Sequence, residues 1–201
     1  AGDIVGYGPN PNECVGRLKG LKRLFCVAGN HDKAVVGMKS ISWFNNYAQR
    51  VLQWTKRQLK EEARNYLSRL PVFYEHNSFS IAHGSPRNPI DEYLLSPNQF
   101  QENLPYIRTR VCFVGHTHYP VCFINDRLNR VKIKHLGHLH KIKFDIESKA
   151  VYNIGSVGQP RDNDPRAACA VFDSELMEIT FHRLEYDFEK TQQKMRQAAL
   201  P

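Results

Sequence analysis

The chain has 201 residues, and 28 lysines and arginines against 20 aspartates and glutamates give it a formal net charge of +8. That length suits one domain with a sizeable hydrophobic core, and the positive charge favours anionic partners such as phosphate esters, nucleotides or nucleic acid. A hydrophobic content of 41% and a mean hydropathy of -0.52 are typical of a soluble globular protein. No apolar run approaches the roughly 20 residues that cross a bilayer, which argues against a membrane protein.

The first part of the sequence predicts helices around one buried strand. Pro9 to Asn12 has the composition of a turn, and Asn12 is the expected cap of a helix from 13 to about 21. Residues 24–28 are continuously apolar, which is typical of a buried strand. Residues 43–70 carry apolar side chains at helical spacing in two segments, and Pro71 ends the helical pattern.

The rest of the sequence predicts mostly strands, with a polar helix over 188–200 at the end. The strands are expected at 78–82, 111–114, 121–124, 131–134, 141–146, 150–154, 168–173 and 178–184. The last six have short connections, so we expect them to form one continuing antiparallel sheet. Mixed β-α units followed by antiparallel strands predict an α/β fold, a two-sheet α-β-β-α sandwich, in a single domain over residues 1–201.

Four short polar loops stand at the ends of apolar runs. They are Gly2-Asp3, Gly29-Asn30-His31-Asp32, His83-Gly84 and Gly115-His116-Thr117-His118. Aspartate, asparagine and histidine side chains hold divalent metals, and the glycines let each loop turn sharply and approach an ion closely. Because the loops are far apart along the chain, they can form a single site only if the fold gathers them.

In this order the loops resemble the motifs of the calcineurin-like metallophosphoesterases. Residues 2–11, 83–87 and 153–162 are also similar to one branch of small prokaryotic phosphodiesterases in that family. The resemblance implies the family's α-β-β-α sandwich and a phosphodiesterase or broad phosphatase that uses a hydroxide activated by a dinuclear metal centre. The family pattern opens with a β-α unit whose strand ends in Asp-x-His. None stands before Gly2-Asp3, so we expect this first unit to be missing and the chain to be N-terminally truncated.

The resemblance also implies which residues bind metal. Asp3 would bridge two divalent ions, and Asn30, His83 and His116 would complete one site with it. His118 would serve the second site, whose other ligands would come from the Asp-x-His segment of the family pattern. The ions are expected to be Mn²⁺, with Fe, Zn, Ni or Mg as alternatives.

Two further roles follow from the same resemblance. His31 would face the substrate as a catalytic residue that stabilises the phosphoryl group or protonates the leaving oxygen, and Asp32 would orient it through the second ring nitrogen.

Two arginines suit bidentate binding of substrate phosphate oxygens, namely Arg87 and Arg161. The alternative is that each forms a loop-stabilising salt bridge, with Asp91 or Asp162.

Other hypotheses stay open at this point. A non-catalytic protein-binding scaffold of the same fold and a nuclease are the alternatives to a phosphoesterase, although no DNA-binding motif supports the nuclease. His135, His138 and His140 alternate with lysines as a solvated hairpin does, so we expect no native metal site there. The five cysteines are odd in number, dispersed and without a CxxC motif, which predicts free thiols and a cytoplasmic location. The expected partner is a phosphorylated small molecule or nucleotide, and a homo-oligomer is an open alternative to a monomer.

Overall fold

A computed structural model describes residues 1–143, 145 and 147–201, which form two compact units. The first, called here the sheet unit, contains Ala1 and Phe73–Tyr186. The second, called the helical unit, contains Gly2–Val72 and Asp187–Pro201. Among the described residues, no helix has the length and apolar character that a membrane crossing requires.

The helical unit contains five α-helices and one short 3-10 helix, Ile41–Trp43. The α-helices are α1 (Pro11–Lys19), α2 (Asn30–Val35), α3 (Asn46–Gln58), α4 (Glu61–Ser68) and, from the end of the chain, α6 (Phe188–Gln197). The apolar faces of α1, α2, α3 and α4 share a core that includes Val15, Val35, Leu52, Ala63 and Leu67, whereas no residue of α6 is buried. The helical pattern predicted over 43–70 is confirmed, with a break at Leu59 and Lys60 between α3 and α4.

The first helix begins earlier than predicted, because Pro11 is its first residue and Asn10 is its cap. Proline suits this position, since its fixed φ matches the helix and its missing N–H would have no helical partner there. Asn12 therefore is not the cap. Its side-chain oxygen accepts the Lys60 N–H at 2.9 Å, and its amide donates to the Gln58 carbonyl at 2.9 Å. Asn12 thus joins α1 to the junction between α3 and α4.

The strand predicted over 24–28 is not formed within the described part of the chain. Val27 and Ala28 are buried, as their composition requires, and the Ala28 N–H donates to the Pro71 carbonyl at 2.8 Å. A strand also requires a continuous ladder to a neighbour, which an apolar run alone cannot supply. The loop that follows this segment opens helix α2, which the sequence reading did not predict.

Among its described residues, the sheet unit contains nine strands and one α-helix, α5 (Pro97–Asn103), followed by a turn of 3-10 helix, Leu104–Tyr106. The strands are β1 (Phe73–Glu75), β2 (Ser80–Ala82), β3 (Val111–Val114), β4 (Val121–Asn125), β5 (Val131–His135), β6 (Lys141–Lys143), β7 (Lys149–Asn153), β8 (Ala167–Asp173) and β9 (Glu178–Leu184). The strand predicted over 141–146 is confirmed as far as Lys143, and its positions 144 and 146 lie outside the described residues.

These strands form two sheets, so the predicted two-sheet α/β fold class is confirmed. The large sheet has the order β1-β2-β3-β7-β4-β5, and the small sheet has the order β6-β9-β8. Strands β2, β3 and β7 run parallel to one another, whereas the remaining pairs are antiparallel. We expected from the sequence that β8 and β9 would continue the sheet of β4 and β5. This expectation was wrong, because β8 and β9 belong to the small sheet.

Alternating side chains of the large sheet supply two cores. On β4, Cys122 and Ile124 point into a cluster that includes Ile179 and Phe181 of the small sheet, so this core lies between the two sheets. Phe123 points to the opposite face, where the cluster includes Phe100 of α5 and Leu94. Because successive side chains of a strand point to opposite faces of the sheet, neighbouring residues of β4 belong to different cores.

Candidate metal-binding and catalytic site

Three parallel strands of the sheet unit end in polar loops at the same edge of the large sheet. His83 directly follows β2, Gly115 and His116 follow β3, and Asn153 is the last residue of β7. Strands β2, β3 and β7 are neighbours in the sheet, so their carboxyl ends lie side by side. This edge is where open α/β sheets place their ligand-binding loops.

The His83 and His116 side chains meet at this edge, and both are buried. Nε2 of His83 and Nδ1 of His116 face each other at 2.9 Å. The other nitrogen of each ring contacts a backbone carbonyl. Nδ1 of His83 lies 2.8 Å from the Ala1 oxygen, and Nε2 of His116 lies 3.3 Å from the Asp91 oxygen. A carbonyl oxygen can only accept, so each contact favours the tautomer in which the outer nitrogen carries the proton.

The facing nitrogens of His83 and His116 are therefore both acceptors in the neutral rings. Two lone pairs at 2.9 Å repel unless a positive charge, either an added proton or a metal ion, interacts with both of them. Two nitrogen ligands about 2.1 Å from one ion lie ~3.0 Å apart at right angles and ~3.4 Å apart at the tetrahedral angle. The observed separation thus fits adjacent ligands of one ion, and it is closer to the right-angled arrangement.

His118, like His83 and His116, is a buried histidine with one ring nitrogen against a backbone carbonyl. Its Nδ1 donates to the Gln159 carbonyl at 2.8 Å. This contact makes Nε2 the unprotonated nitrogen of the neutral ring. Histidines that bind metal typically donate their second ring N–H to a carbonyl or carboxylate, which fixes the tautomer and the direction of the ring.

The backbone of the Gly115–His118 loop is held in an uncommon conformation. His116 has a φ of 63° and His118 a φ of 58°, in the left-handed region that side chains other than glycine rarely adopt. Asn153 supports this shape because its amide donates to the Gly115 carbonyl and, at 2.8 Å, to the Thr117 hydroxyl. Such strain persists only where the surrounding structure enforces it, and it is common at functional sites.

Asn153 and Tyr93 are site residues that the sequence reading missed. Asn153 opens the segment 153–162 that resembles the family, but its residue type alone indicates no role. The Tyr93 ring stacks on His116 at 3.9 Å between ring centroids and 19° between ring planes. No pattern near Tyr93 marks it, since its role depends on how the loop after His83 folds over β3.

The two arginines predicted to bind substrate differ in their surroundings. Arg87 pairs with Glu92 and, at 2.7 Å, with Glu102, and these carboxylates raise the pKa of its guanidinium. The salt-bridge alternative therefore describes Arg87, although its partners are neither Asp91 nor Asp162, and the phosphate-binding role is not supported. Arg161 is exposed, and its backbone N–H donates to the His118 carbonyl at 3.2 Å.

In the helical unit, the start of α2 lies against the Gly2-Asp3 turn. Asp3 has a φ of 52°, and its Oδ1 accepts the His31 N–H at 3.0 Å. Gly29, the residue before α2, allows this approach, because a Cβ at that position would lie 2.1 Å from Asp3 Oδ1. Asn30, the first residue of the helix, is buried. Asp3, Asn30, His31 and Asp32 are thus brought together within this unit.

Asp32 does not have the orienting role predicted for it. Its Oδ2 accepts the Gly29 N–H at 2.9 Å and its Oδ1 accepts the Val5 N–H at 3.1 Å. The prediction was wrong because the third residue of a helix is well placed to cap the backbone at the start of that helix. Burial, followed by the nearby charge of Asp3, raises the pKa of Asp32 to about 6.

A backbone carbonyl and two aromatic rings orient His31 instead. Its Nδ1 lies 3.2 Å from the Gly6 oxygen, which can only accept, so this nitrogen carries the proton. Tyr7 stacks on the imidazole at 4.1 Å, and Phe44 meets it edge-on at 4.9 Å. Neither aromatic residue was singled out in the sequence. Together these contacts leave Nε2 as the ring nitrogen with the available lone pair.

Buried histidines whose tautomers are fixed by backbone carbonyls are typical metal ligands. Their place at the carboxyl edge of an α/β sheet is typical of a ligand-binding site. Together these features are characteristic of metal-dependent enzymes. Comparisons with known proteins give the same class. Residues 1–176 match the family model of the calcineurin-like phosphoesterase superfamily domain. An uncharacterised protein of Methanocaldococcus jannaschii is 39% identical over 205 aligned positions, which cover 100% of this chain and 80% of that protein.

Two solved structures are also similar. The crystal structure of a metallophosphoesterase from Sphaerobacter thermophilus superimposes with a TM-score of 0.88 at 40% identity, covering 100% of this chain and 82% of that one. A hypothetical protein from Pyrococcus horikoshii OT3 gives a TM-score of 0.76 at 21% identity, covering 100% of this chain and 79% of that one, and at this identity it supports the fold alone. The chain belongs to the calcineurin-like phosphoesterase superfamily, and its fold is of the metallophosphoesterase type.

Proposed function

We propose that the protein is a metal-dependent phosphoesterase that hydrolyses phosphate esters at a dinuclear centre. The observation that carries the proposal is the pair of acceptor nitrogens of His83 and His116, 2.9 Å apart. With the outer nitrogens protonated, this pair of acceptors is suited to a shared cation. Family membership supports the phosphoester as the substrate.

We assign the metal-binding role to His83, His116 and His118, with Asp3 and Asn30 as oxygen ligands by family resemblance. When bound, divalent ions at such sites polarise a phosphoryl oxygen and lower the pKa of water. Nitrogen and oxygen ligands suit several first-row ions. Mn²⁺ is the ion we propose, with Fe, Zn, Ni or Mg as alternatives.

We assign the substrate-facing role to His31. The Gly6 carbonyl holds the proton on Nδ1, and the Tyr7 and Phe44 rings restrict rotation of the imidazole. Nε2 is then the atom that contacts a phosphoryl oxygen or, in the imidazolium form, gives a proton to the leaving oxygen. Asp32 contributes indirectly, because it fixes the backbone at Val5, just after Asp3, and at Gly29, just before α2.

The substrate we propose is a phosphorylated small molecule or nucleotide in the cytoplasm. The net charge of +8 supports an anionic substrate. A phosphodiester and a phosphomonoester have different numbers of non-bridging oxygens, so two aryl substrates can separate the two activities. Bis(4-nitrophenyl) phosphate represents the diester and 4-nitrophenyl phosphate the monoester.

The test separates metal binding from chemistry. His116→Ala should remove both Mn²⁺ binding, measured by calorimetry, and hydrolysis, because it deletes one of the two facing nitrogens. His31→Asn should lower kcat by about 10²–10⁴-fold while Mn²⁺ affinity stays near that of the original protein. His76→Ala, at an exposed position outside the site, is the matched control and should change neither quantity.

Three results would contradict the proposal. Equal loss of metal in the His116 and His31 variants would refute the division of roles. Tight Mn²⁺ binding with no hydrolysis of either ester would favour the non-catalytic scaffold. Cleavage of oligonucleotides in preference to both aryl esters would favour the nuclease.

A further inference from the structure

A buried arginine lies behind the loop that contacts His118. Arg183, on β9, has a side chain only 2% exposed, and it forms an ion pair with Asp162. Its Nη1 donates to the Arg166 carbonyl at 3.0 Å, and its Nε lies 3.7 Å from Asp164. The carboxylate of Asp164 is in turn bound by the Arg166 guanidinium, with contacts of 2.7 and 3.0 Å. A guanidinium so fully removed from water requires such partners.

The loop that Arg183 anchors also holds His118 at two points. The Gln159 carbonyl accepts from His118 Nδ1 at 2.8 Å, and the Arg161 N–H donates to the His118 carbonyl at 3.2 Å. Asp162, the partner of Arg183, directly follows Arg161 in the chain. The ion pair therefore fixes the backbone next to the Arg161 contact and three residues from the Gln159 carbonyl.

Other contacts of Arg183 make this anchor rigid. Its guanidinium lies over the Phe181 ring at 5.3 Å, and its backbone N–H donates to Nδ1 of His138 at 3.0 Å. It also sits on β9 opposite Ala168 of β8, whose N–H donates to the Ser156 carbonyl at the start of the same loop. Both ends of the loop are thus tied to the small sheet.

We infer that Arg183 and Asp162 are positioning residues: their ion pair sets the Gln159 carbonyl against His118 and so selects the tautomer in which Nδ1 carries the proton and Nε2 is the nitrogen that can bind a metal ion. This inference rests on the proposed function only for the use made of His118. The selection of the tautomer is a property of the metal-free protein. A carbonyl moved away from Nδ1 no longer favours the Nδ1–H form, which leaves the wrong nitrogen protonated for a fraction of the molecules.

The test measures the tautomer directly in metal-free protein labelled with ¹⁵N-histidine. Long-range ¹H–¹⁵N correlation spectra distinguish Nδ1–H from Nε2–H, and a His118→Gln variant identifies the His118 signals. Asp162→Asn keeps the size of the side chain but removes its charge. It should introduce the Nε2–H form of His118 and raise the Mn²⁺ dissociation constant about 10–100-fold, the usual cost of losing support behind a ligand.

Arg183→Lys provides a second variant that keeps the buried charge but not the planar fork, and it should shift the tautomer in the same direction. The control is Asp126→Asn, which removes a carboxylate from another ion-paired loop of the sheet unit, where Asp126 binds Arg130 and Lys132 at 3.0 Å. An unchanged His118 tautomer in both variants would overturn the inference. So would an equal change in the control, because it would show only general destabilisation. Absence of phosphoesterase activity in all the proteins would count against the proposed function and leave the tautomer result standing.

Discussion

Replacing Gly29 by alanine tests whether the position of Asp3 controls the site, without altering a candidate ligand. Gly29 has φ −97° and ψ 177°, an extended conformation that any residue adopts, so alanine introduces no backbone strain. The obstacle is space. An added Cβ would lie 2.1 Å from Asp3 Oδ1 and 2.3 Å from the Asp3 backbone nitrogen. Both the side chain and the backbone of Asp3 must therefore move.

The size of the movement follows from these distances. Ordinary contact begins near 3.4 Å, so Oδ1 must retreat by the difference between 3.4 and 2.1 Å, which is 1.3 Å. That shift disrupts its 3.0 Å hydrogen bond with the His31 N–H. A displacement of about 1 Å in a reacting group costs ~10²-fold in rate, and overpacking costs ~1–3 kcal/mol in the free energy of unfolding. We expect kcat/KM to fall about 10²-fold.

The assay is Mn²⁺-dependent hydrolysis of bis(4-nitrophenyl) phosphate, with urea unfolding monitored in parallel. Gly8→Ala is the matched control, because a Cβ there meets nothing within 4 Å. It has the same effect on the entropy of the unfolded chain, so this contribution cancels in the comparison. If Gly29→Ala retained the activity of Gly8→Ala while both proteins stayed folded, the reasoning about Asp3 would be refuted.

Three other substitutions or treatments test separate parts of the structure. Gly84→Ala should weaken Mn²⁺ binding in calorimetry, because its Cβ would lie 2.7 Å from the Asn88 carbonyl and so move the turn that follows His83; unchanged affinity would contradict this. Iodoacetamide at pH 8 should modify exposed Cys14 and spare Cys112 and Cys122, since burial raises the pKa of each of these two thiols to about 12. Mass spectrometry should show all five cysteines modified only after unfolding. Ser96→Ala should lower the free energy of unfolding by about 1 kcal/mol through loss of the α5 cap, in which Ser96 Oγ accepts the Gln99 N–H at 3.3 Å. The exposed Ser174→Ala is its control in urea unfolding, and equal midpoints would contradict the assignment of the cap.

The sequence predicted well those elements whose pattern is local. Strand β3 (Val111–Val114) and strand β9 (Glu178–Leu184) have the predicted bounds. Strand membership of the two sheets was not predictable in the same way, because pairing depends on partners far along the chain. Strand β7 is inserted between β3 and β4, and β8 and β9 form the small sheet with β6 instead of continuing the large one. Residues 24–28 could not be assigned correctly for the same reason. An apolar run predicts that a segment is buried, but it does not predict that the segment hydrogen-bonds to a neighbouring strand.

A different limit applies to the site. Residue types and motif order were enough to select His83 and His116, which the structure brings within 2.9 Å of each other. They were not enough to assign the role of Asp32, whose oxygens accept backbone N–H groups rather than a histidine proton. Nor could they identify Tyr93, which stacks on His116. Roles that depend on hydrogen-bond direction or ring stacking require the backbone path, which a motif does not contain.

The same dependence on the backbone explains how the rings of His83, His116 and His118 are oriented. Ala1, Asp91 and Gln159 each contribute a main-chain oxygen to a ring nitrogen, so no substitution of their side chains directly removes these acceptors. A neutral carbonyl also adds no negative charge beside the ligands, unlike a carboxylate, so a bound ion keeps more of its positive charge for the phosphoryl group. The site is therefore more vulnerable at residues that set the path of the main chain, such as Gly84 and Asp162, than at the residues that supply the carbonyl oxygens.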